Sequence, residues 1–144
     1  MQTIHIERIF PLPPAELFAE LTHHERFGEI MGQNILTLKA AEGEASCGVG
    51  SVRQIPLGIG LTFEETVRSY VPGQLMEYQV TRGSPVTEHW GRMAFHPHPR
   101  GCRLLYSIRF QPRIPFTGGL IAVALRRALT RGLDRYRDRL PLRD

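Results

Sequence analysis

Thr117-Gly118-Gly119-Leu120-Ile121-Ala122-Val123-Ala124-Leu125-Arg126-Arg127-Ala128-Leu129-Thr130-Arg131-Gly132-Leu133-Asp134-Arg135-Tyr136-Arg137-Asp138-Arg139-Leu140 is the longest run in the chain compatible with one helix. Ile121, Leu125, Ala128, Leu129, Gly132, Leu133, Tyr136 and Leu140 recur on one stripe at helical spacing. Arg126, Arg127, Thr130, Arg131, Asp134, Arg137 and Asp138 lie opposite. One face is therefore expected to be buried. Pro115 and Thr117 supply start signals, because proline suits a first helical turn and a threonine hydroxyl is expected to accept from an unpaired backbone N–H. At roughly 1.5 Å per residue, 117–140 would span about 36 Å. Residues 118–125 carry no charge, and Gly118, Gly119, Ala122 and Ala124 are small. That leaves room beside the backbone for packing or for a ligand.

Before this helix the chain reads mostly as short strands. In 1–10, Thr3, His5, Glu7 and Ile9 alternate with Ile4, Ile6, Arg8 and Phe10, as in a strand with one apolar face. Pro11, Pro13 and Pro14 stop it. Leu17, Phe18 and Leu21 then repeat at helical spacing in 15–22, and a second short helix is expected over 23–29, ending near Gly32. Further strands are predicted over 35–40, 49–55, 61–68, 76–81, 86–96 and 103–111, separated by turns at 42–46, 56–60, Pro72-Gly73, Gly83 to Pro85 and Pro97 to Gly101. Seven closely spaced strands, two small helices after the first and one long helix last give an α+β order. The sheet is expected to be antiparallel and to curve around the last helix, leaving a groove or cavity.

A length of 144 residues favours one domain, 1–144, with a core of useful size. With 42% hydrophobic and 22% charged residues, neither disorder nor a membrane class is favoured. The start lacks the apolar core of a signal peptide, and 118–125 falls far short of the roughly 20 residues that span a bilayer, so a cytoplasmic protein is expected. Net charge is +4 with a pI near 9.6, which invites a nucleic-acid partner. The distribution argues against one. Six arginines and two aspartates in 117–140 carry the whole excess, on what reads as a solvated helix face, and Lys39 is the only lysine. Cys47 and Cys102 have no CxxC spacing and are expected to be free thiols.

Several marks recur in order along the chain. They are Pro13-Pro14-Ala15-Glu16-Leu17-Phe18, then Gly50-Ser51-Val52-Arg53, then Glu64-Glu65 ahead of Val71-Pro72-Gly73-Gln74-Leu75. Gly91-Arg92-Met93-Ala94-Phe95-His96-Pro97, Gly101-Cys102-Arg103-Leu104 and the Arg-rich helix follow. In these marks the chain resembles the SRPBCC superfamily, also called START-like or helix-grip proteins, and within it the polyketide cyclase/dehydrase-like group. The resemblance implies a seven-stranded curved antiparallel sheet wrapped around the C-terminal helix, with a hydrophobic cavity between them. Superfamily members use that cavity for lipids, sterols, polyketides, plant hormones and quinones. Some are aromatase/cyclases and many only bind or carry, so function has to be argued from the site.

Arg53, Glu65, Tyr78 and His89 are the candidates for polar work in such a cavity. An ionised group there needs a partner, which Glu64 or Glu65 offers Arg53. As a lone strand histidine, His89 is read first as packed, and otherwise as an acid or base near neutral pH. Phe63, Tyr78, His89, Met93, Phe95, Tyr106, Ile108, Leu120, Ile121 and Ala124 are the candidate ligand contacts. Strict alternation puts Trp90 on the opposite, convex face with Glu88 and Arg92, unless a bulge reverses it. His96-Pro97-His98 has two-histidine spacing without a carboxylate cluster, and His23-His24-Glu25 reads as helix surface, so no metal is expected. Gly48-Val49-Gly50 and Gly58-Ile59-Gly60 lack any nucleotide pattern, and Ser51, Ser69, Ser84 and Ser107 lack a nucleophile elbow. No cofactor is expected. The expected partner is a small hydrophobic ligand held by a monomer or homodimer, with an aromatase/cyclase-like enzyme or a protein-interaction module as alternatives.

Overall fold

The computed structural model describes residues 1–43, 45–58 and 60–141. Glu44, in the turn expected at 42–46, and Ile59, in the glycine turn 56–60, lie outside the described residues, as do 142–144. Among the described residues the chain runs β1 (Gln2–Phe10), α1 (Pro14–Thr22), α2 (His24–Met31), β2 (Leu36–Lys39), β3 (Val52–Pro56), β4 (Thr62–Val71), β5 (Leu75–Arg82), β6 (Val86–His98), β7 (Gly101–Pro112) and α3 (Gly118–Asp138). The strands form one antiparallel sheet in the order β1-β7-β6-β5-β4-β3-β2. Hairpins link β2 through β7, and β1 closes against β7. The connection from β1 to β2 has to cross from one sheet edge to the other, and α1 and α2 make that crossing.

Period-two alternation decides which side chains face the helices. In β7, Cys102, Leu104, Tyr106, Ile108 and Phe110 are buried, while Arg103 and Arg109 are exposed. Ile4, Ile6 and Phe10 of β1 do the same beside them. Phe18 of α1 packs edge-on against Tyr70 and Phe95, with ring centroids 5.1 and 5.2 Å apart, filling the inner face under that helix.

The first half of α3 is only partly covered, whereas its second half is clamped. Leu129, Leu133 and Tyr136 are buried, and Gly132 lies where a Cβ would press into the Met31 side chain of α2. Three polar ties fix the clamp. Arg8 Nε donates to Asp134 Oδ1 at 2.8 Å, Arg126 Nη1 donates to the His5 carbonyl at 2.7 Å, and Arg135 Nη2 donates to the Ile30 carbonyl at 2.9 Å. Arg126 and Asp134, expected on the face opposite the buried stripe, and Arg135 thus hold the helix to β1 and α2. The expected threonine cap is not made: the Thr117 hydroxyl donates backwards to the Ile114 carbonyl at 2.6 Å instead.

His24 was expected at the surface and is fully buried. At the start of α2 its side chain turns inward, and its Nε2 lies 2.9 Å from Ser51 Oγ just before β3, while His23 stays outside and accepts the Arg26 N–H as the helix cap. Burial, and then the positive charge of Arg53, pull the His24 pKa down to about 3. The folded value lies below the unfolded one, so this group's contribution to stability is complete above about pH 6.5 and is lost as pH falls toward 3. From this histidine alone, unfolding free energy in urea titrations is expected to drop by about 2 kcal/mol between pH 7 and pH 5. A His24→Gln variant should lose that share of the slope.

Gly91 of β6 stands directly across from Tyr78 of β5, and any Cβ on it would overlap the Tyr78 ring. The missing side chain lets Tyr78 lie flat across the inner face. Gly91→Ala is expected to destabilise by about 1–3 kcal/mol in denaturant unfolding, because a packed ring has to move.

Candidate functional site

Between the first half of α3 and the sheet lies a cavity of about 480 Å³. That is within the usual range for small-molecule sites, roughly 300–1,000 Å³. Ile121, Ala124, Leu125, Ala128 and Leu129 form its helix wall. Ile55, Phe63, Val80, Ile108 and Phe110 form its sheet wall, with Phe27 and Met31 of α2 closing one end. Leu57 and Pro85, from the β3–β4 and β5–β6 turns, stand at the rim. Of the small residues on this side of α3, Ala124 and Ala128 line the space, whereas Gly118, Gly119 and Ala122 do not.

One group of polar side chains interrupts this apolar lining. Arg53 of β3 and Glu65 of β4 are direct partners across the sheet and both face inward. Arg53 Nε and Nη2 donate to Glu65 Oε1 at 2.9 and 2.8 Å. The guanidinium lies over two aromatic rings, 4.6 Å from the Tyr78 centroid and 5.2 Å from that of Phe27. Its third nitrogen, Nη1, is buried without a hydrogen-bond partner. Arg53 itself is 1% exposed. Burial opposes its charge, but Glu65, with Tyr78 and Tyr106, holds its pKa above the usual value. Burial pushes the Glu65 carboxyl up while Arg53 pulls it back. A guanidinium stays protonated in proteins, and a buried charge requires a counter-charge, so the pair is ionised.

Tyr78 and Tyr106 hydroxyls hydrogen-bond to each other beside this pair, and burial raises the pKa of both. His89 completes the group. Its Nδ1 accepts the Val80 N–H at 3.0 Å, which leaves any ring proton on Nε2, 3.9 Å from Glu65 Oε2. Burial, and then Arg53, lower its pKa to about 4. At neutral pH the ring is uncharged.

All four polar candidates therefore line one cavity, as do Phe63, Tyr106, Ile108, Ile121 and Ala124. Three expected contacts lie elsewhere. Leu120 is 76% exposed, one helix position too early to face inward. Met93 and Phe95 do sit on the inner face, but under α1, where Phe18 fills the space. Alternation identifies a face of the sheet and does not say which helix covers each part of it. The α2 wall was missed for a related reason: Phe27, Ile30 and Met31 recur at helical spacing, which marks a buried stripe and does not say that it meets the cavity.

The remaining motifs find structural roles. Ser51 and His24 are hydrogen-bonded but both fully buried, so no substrate reaches that hydroxyl. Trp90 lies on the outer face, where its Nε1 donates to Glu77 Oε2 at 2.9 Å, and Glu88 sits with φ 49° in the register shift between Thr87 and Trp90. His98 Nδ1 accepts the Arg100 N–H within a turn. Among the described residues no three His, Cys, Asp or Glu side chains are grouped to hold a metal ion. No helix among them is long and apolar enough to cross a membrane. A second depression, about 590 Å³, lies between α1, α2 and the end of α3, among Glu16, Glu20, Arg26, Glu29 and Tyr136. It is more open than the space under α3 and is edged by charge.

Solved structures share this architecture. Protein MLL2253 from Mesorhizobium loti matches with a TM-score of 0.72 and 18% identity, covering 98% of this chain and 100% of that one. XoxI from Bacillus cereus matches with a TM-score of 0.76 and 14% identity, over 96% and 94%. Norcoclaurine synthase from Thalictrum flavum, solved with dopamine and hydroxybenzaldehyde, matches with a TM-score of 0.65 and 14% identity, over 94% and 85%. No curated protein matches the chain significantly. The family model described as polyketide cyclase / dehydrase and lipid transport matches residues 1–141, and the helix-grip architecture agrees with it: the chain belongs to this family.

Proposed function

We propose that the chain binds and carries, or sequesters, a small hydrophobic or aromatic molecule between α3 and the sheet. The observation that supports this reading is the cavity of about 480 Å³, whose walls are mostly aliphatic and aromatic. Burying an apolar ligand there gains roughly 25 cal/mol for each Å² removed from water. A structural relative, norcoclaurine synthase, was solved with two small aromatic molecules.

The convergence of Arg53, Glu65, Tyr78 and His89 supports a second reading, aromatase/cyclase-like proton transfer on a bound polyketide. Electrostatics weighs against it. An efficient general acid or base titrates near the working pH. His89 stands at about 4, both tyrosines are raised, and Glu65 is the counter-charge of Arg53. Binding is therefore the reading preferred over turnover.

Thermal-shift and native mass-spectrometric screens against polyketides, fatty acids, sterols and quinones test it. A ligand at a hundred times its Kd is expected to raise Tm by roughly 6–12 °C. A panel that yields neither shift nor adduct would sink the proposal. Ala128→Trp, at an exposed helix position lining the cavity, is expected to weaken binding by about tenfold or more while leaving the unliganded Tm within a few degrees.

A further inference from the structure

We propose that the loop before α3 and the exposed face of its first turns dock the chain on an anionic lipid bilayer. Phe116 is 104% exposed and Leu120 76%, the two highest values among the large apolar side chains described, and Ile114 and Val123 beside them are also exposed. Single apolar residues at a surface need no explanation, but a run of four large ones in one place marks an interaction site. The loop that carries them is held in shape. Arg113 donates its N–H to the Pro85 carbonyl and its Nε to the Ser84 carbonyl, both at 2.9 Å, and the Thr117 hydroxyl donates to the Ile114 carbonyl at 2.6 Å. Phe116 itself has φ 68°, in the left-handed region that residues with a Cβ avoid. A strained backbone thus keeps a phenyl ring in water, where it adds nothing to the fold.

Charge chooses the partner. Residues 113–133 contain Arg113, Arg126, Arg127 and Arg131 and no acidic residue. All four arginines are exposed, and among the described residues none of them is in an ion pair. Leu120, Val123, Ala124, Arg127 and Arg131 share one exposed stripe of α3, apolar at its start and basic further on. Along the axis the two arginines follow Leu120 by about 10 and 16 Å. A helix tilted so that Phe116 and Leu120 enter the acyl boundary first therefore brings both guanidiniums back to the phosphates. A second copy of the chain fits poorly, because a two-fold contact would lay this patch on itself and bring like charges together. A bilayer with anionic lipid supplies both the apolar depth and the negative surface. The inference does not need the cavity to hold a ligand, although docking would set the helix wall of the cavity, Ile121, Ala124 and Leu125, next to the lipid.

Co-sedimentation of the full chain with large vesicles tests this, using phosphatidylcholine alone and phosphatidylcholine with about one-third phosphatidylglycerol. The anionic vesicles are expected to bind about tenfold or more tightly, at roughly fivefold for each basic side chain near the surface, and to lose most of that advantage in about 0.5 M salt. Phe116→Gly with Leu120→Gln is expected to weaken binding to anionic vesicles by about tenfold or more. Its Tm should stay within a few degrees of the wild type, because glycine takes the left-handed φ without strain, so lost binding would not reflect lost folding. Arg127→Gln with Arg131→Gln is expected to remove the preference for anionic lipid and leave the weak binding to phosphatidylcholine unchanged.

No binding to either vesicle, or equal binding to both, would overturn the inference, and ligand-induced shifts in Tm would then leave the carrier reading intact. If the Phe116→Gly, Leu120→Gln variant binds as the wild type does, another surface is responsible and the assignment falls. A monomer–dimer equilibrium without lipid that this variant abolishes would give the patch to a second copy and overturn docking on a bilayer.

Discussion

One helix cannot cover a seven-stranded sheet. With strands about 4.8 Å apart, the edges of this sheet are about 29 Å from each other, whereas a helix with its side chains is about 10–12 Å across. The inner face must be covered by more than α3 or be left partly bare. Both happen here. The crossing from β1 to β2 lays α1 over the inner face near Tyr70 and Phe95, and brings α2 against the second half of α3. What remains, beneath the small and uncharged first half of α3, is the cavity.

The ion pair in that cavity follows from register. Arg53 and Glu65 are exact cross-strand neighbours on β3 and β4, so their inward orientation is set by the same alternation that sends Gln54 and Glu64 outward. Shifting either strand by one residue would reverse both faces at once. The tyrosine pair depends on a different device. Only because position 91 has no side chain can Tyr78 lie flat enough to reach Tyr106 and pass under the guanidinium.

Much of this was legible from the residues. Alternation placed seven strands, and the helical stripe placed α3, because each element repeats long enough for its period to stand out. The four polar cavity residues were visible as titratable groups on apolar strand faces. Other features were not, for identifiable reasons. His24 looks like its neighbour His23, and only the packing of α2 against β3 decides which of them is buried. Leu120 belongs to the same apolar run as Ile121, yet one residue is about 100° of helix rotation, enough to turn it from the cavity to solvent. The arginines of α3 read as solvated charge, although Arg126 and Arg135 end on backbone carbonyls that only the tertiary fold brings near. Periodicity reports which face is buried, and contacts between distant segments report against what.

The stability of the site points to the same division of labour. Desolvating two charges costs several kcal/mol, and a well-packed apolar pair in their place is often neutral or stabilising. A fold that needed only a rigid inner face would gain nothing from Arg53 and Glu65. The second half of α3 already supplies rigidity through Leu129, Leu133 and Tyr136 and through its ties to β1 and α2. The polar group instead lies under the half of the helix that is left loosely covered, beside the open space. Rigid packing and a costly polar centre are thus separated along one helix: the clamp holds the fold, and the charged pair lies at the end that the clamp does not cover.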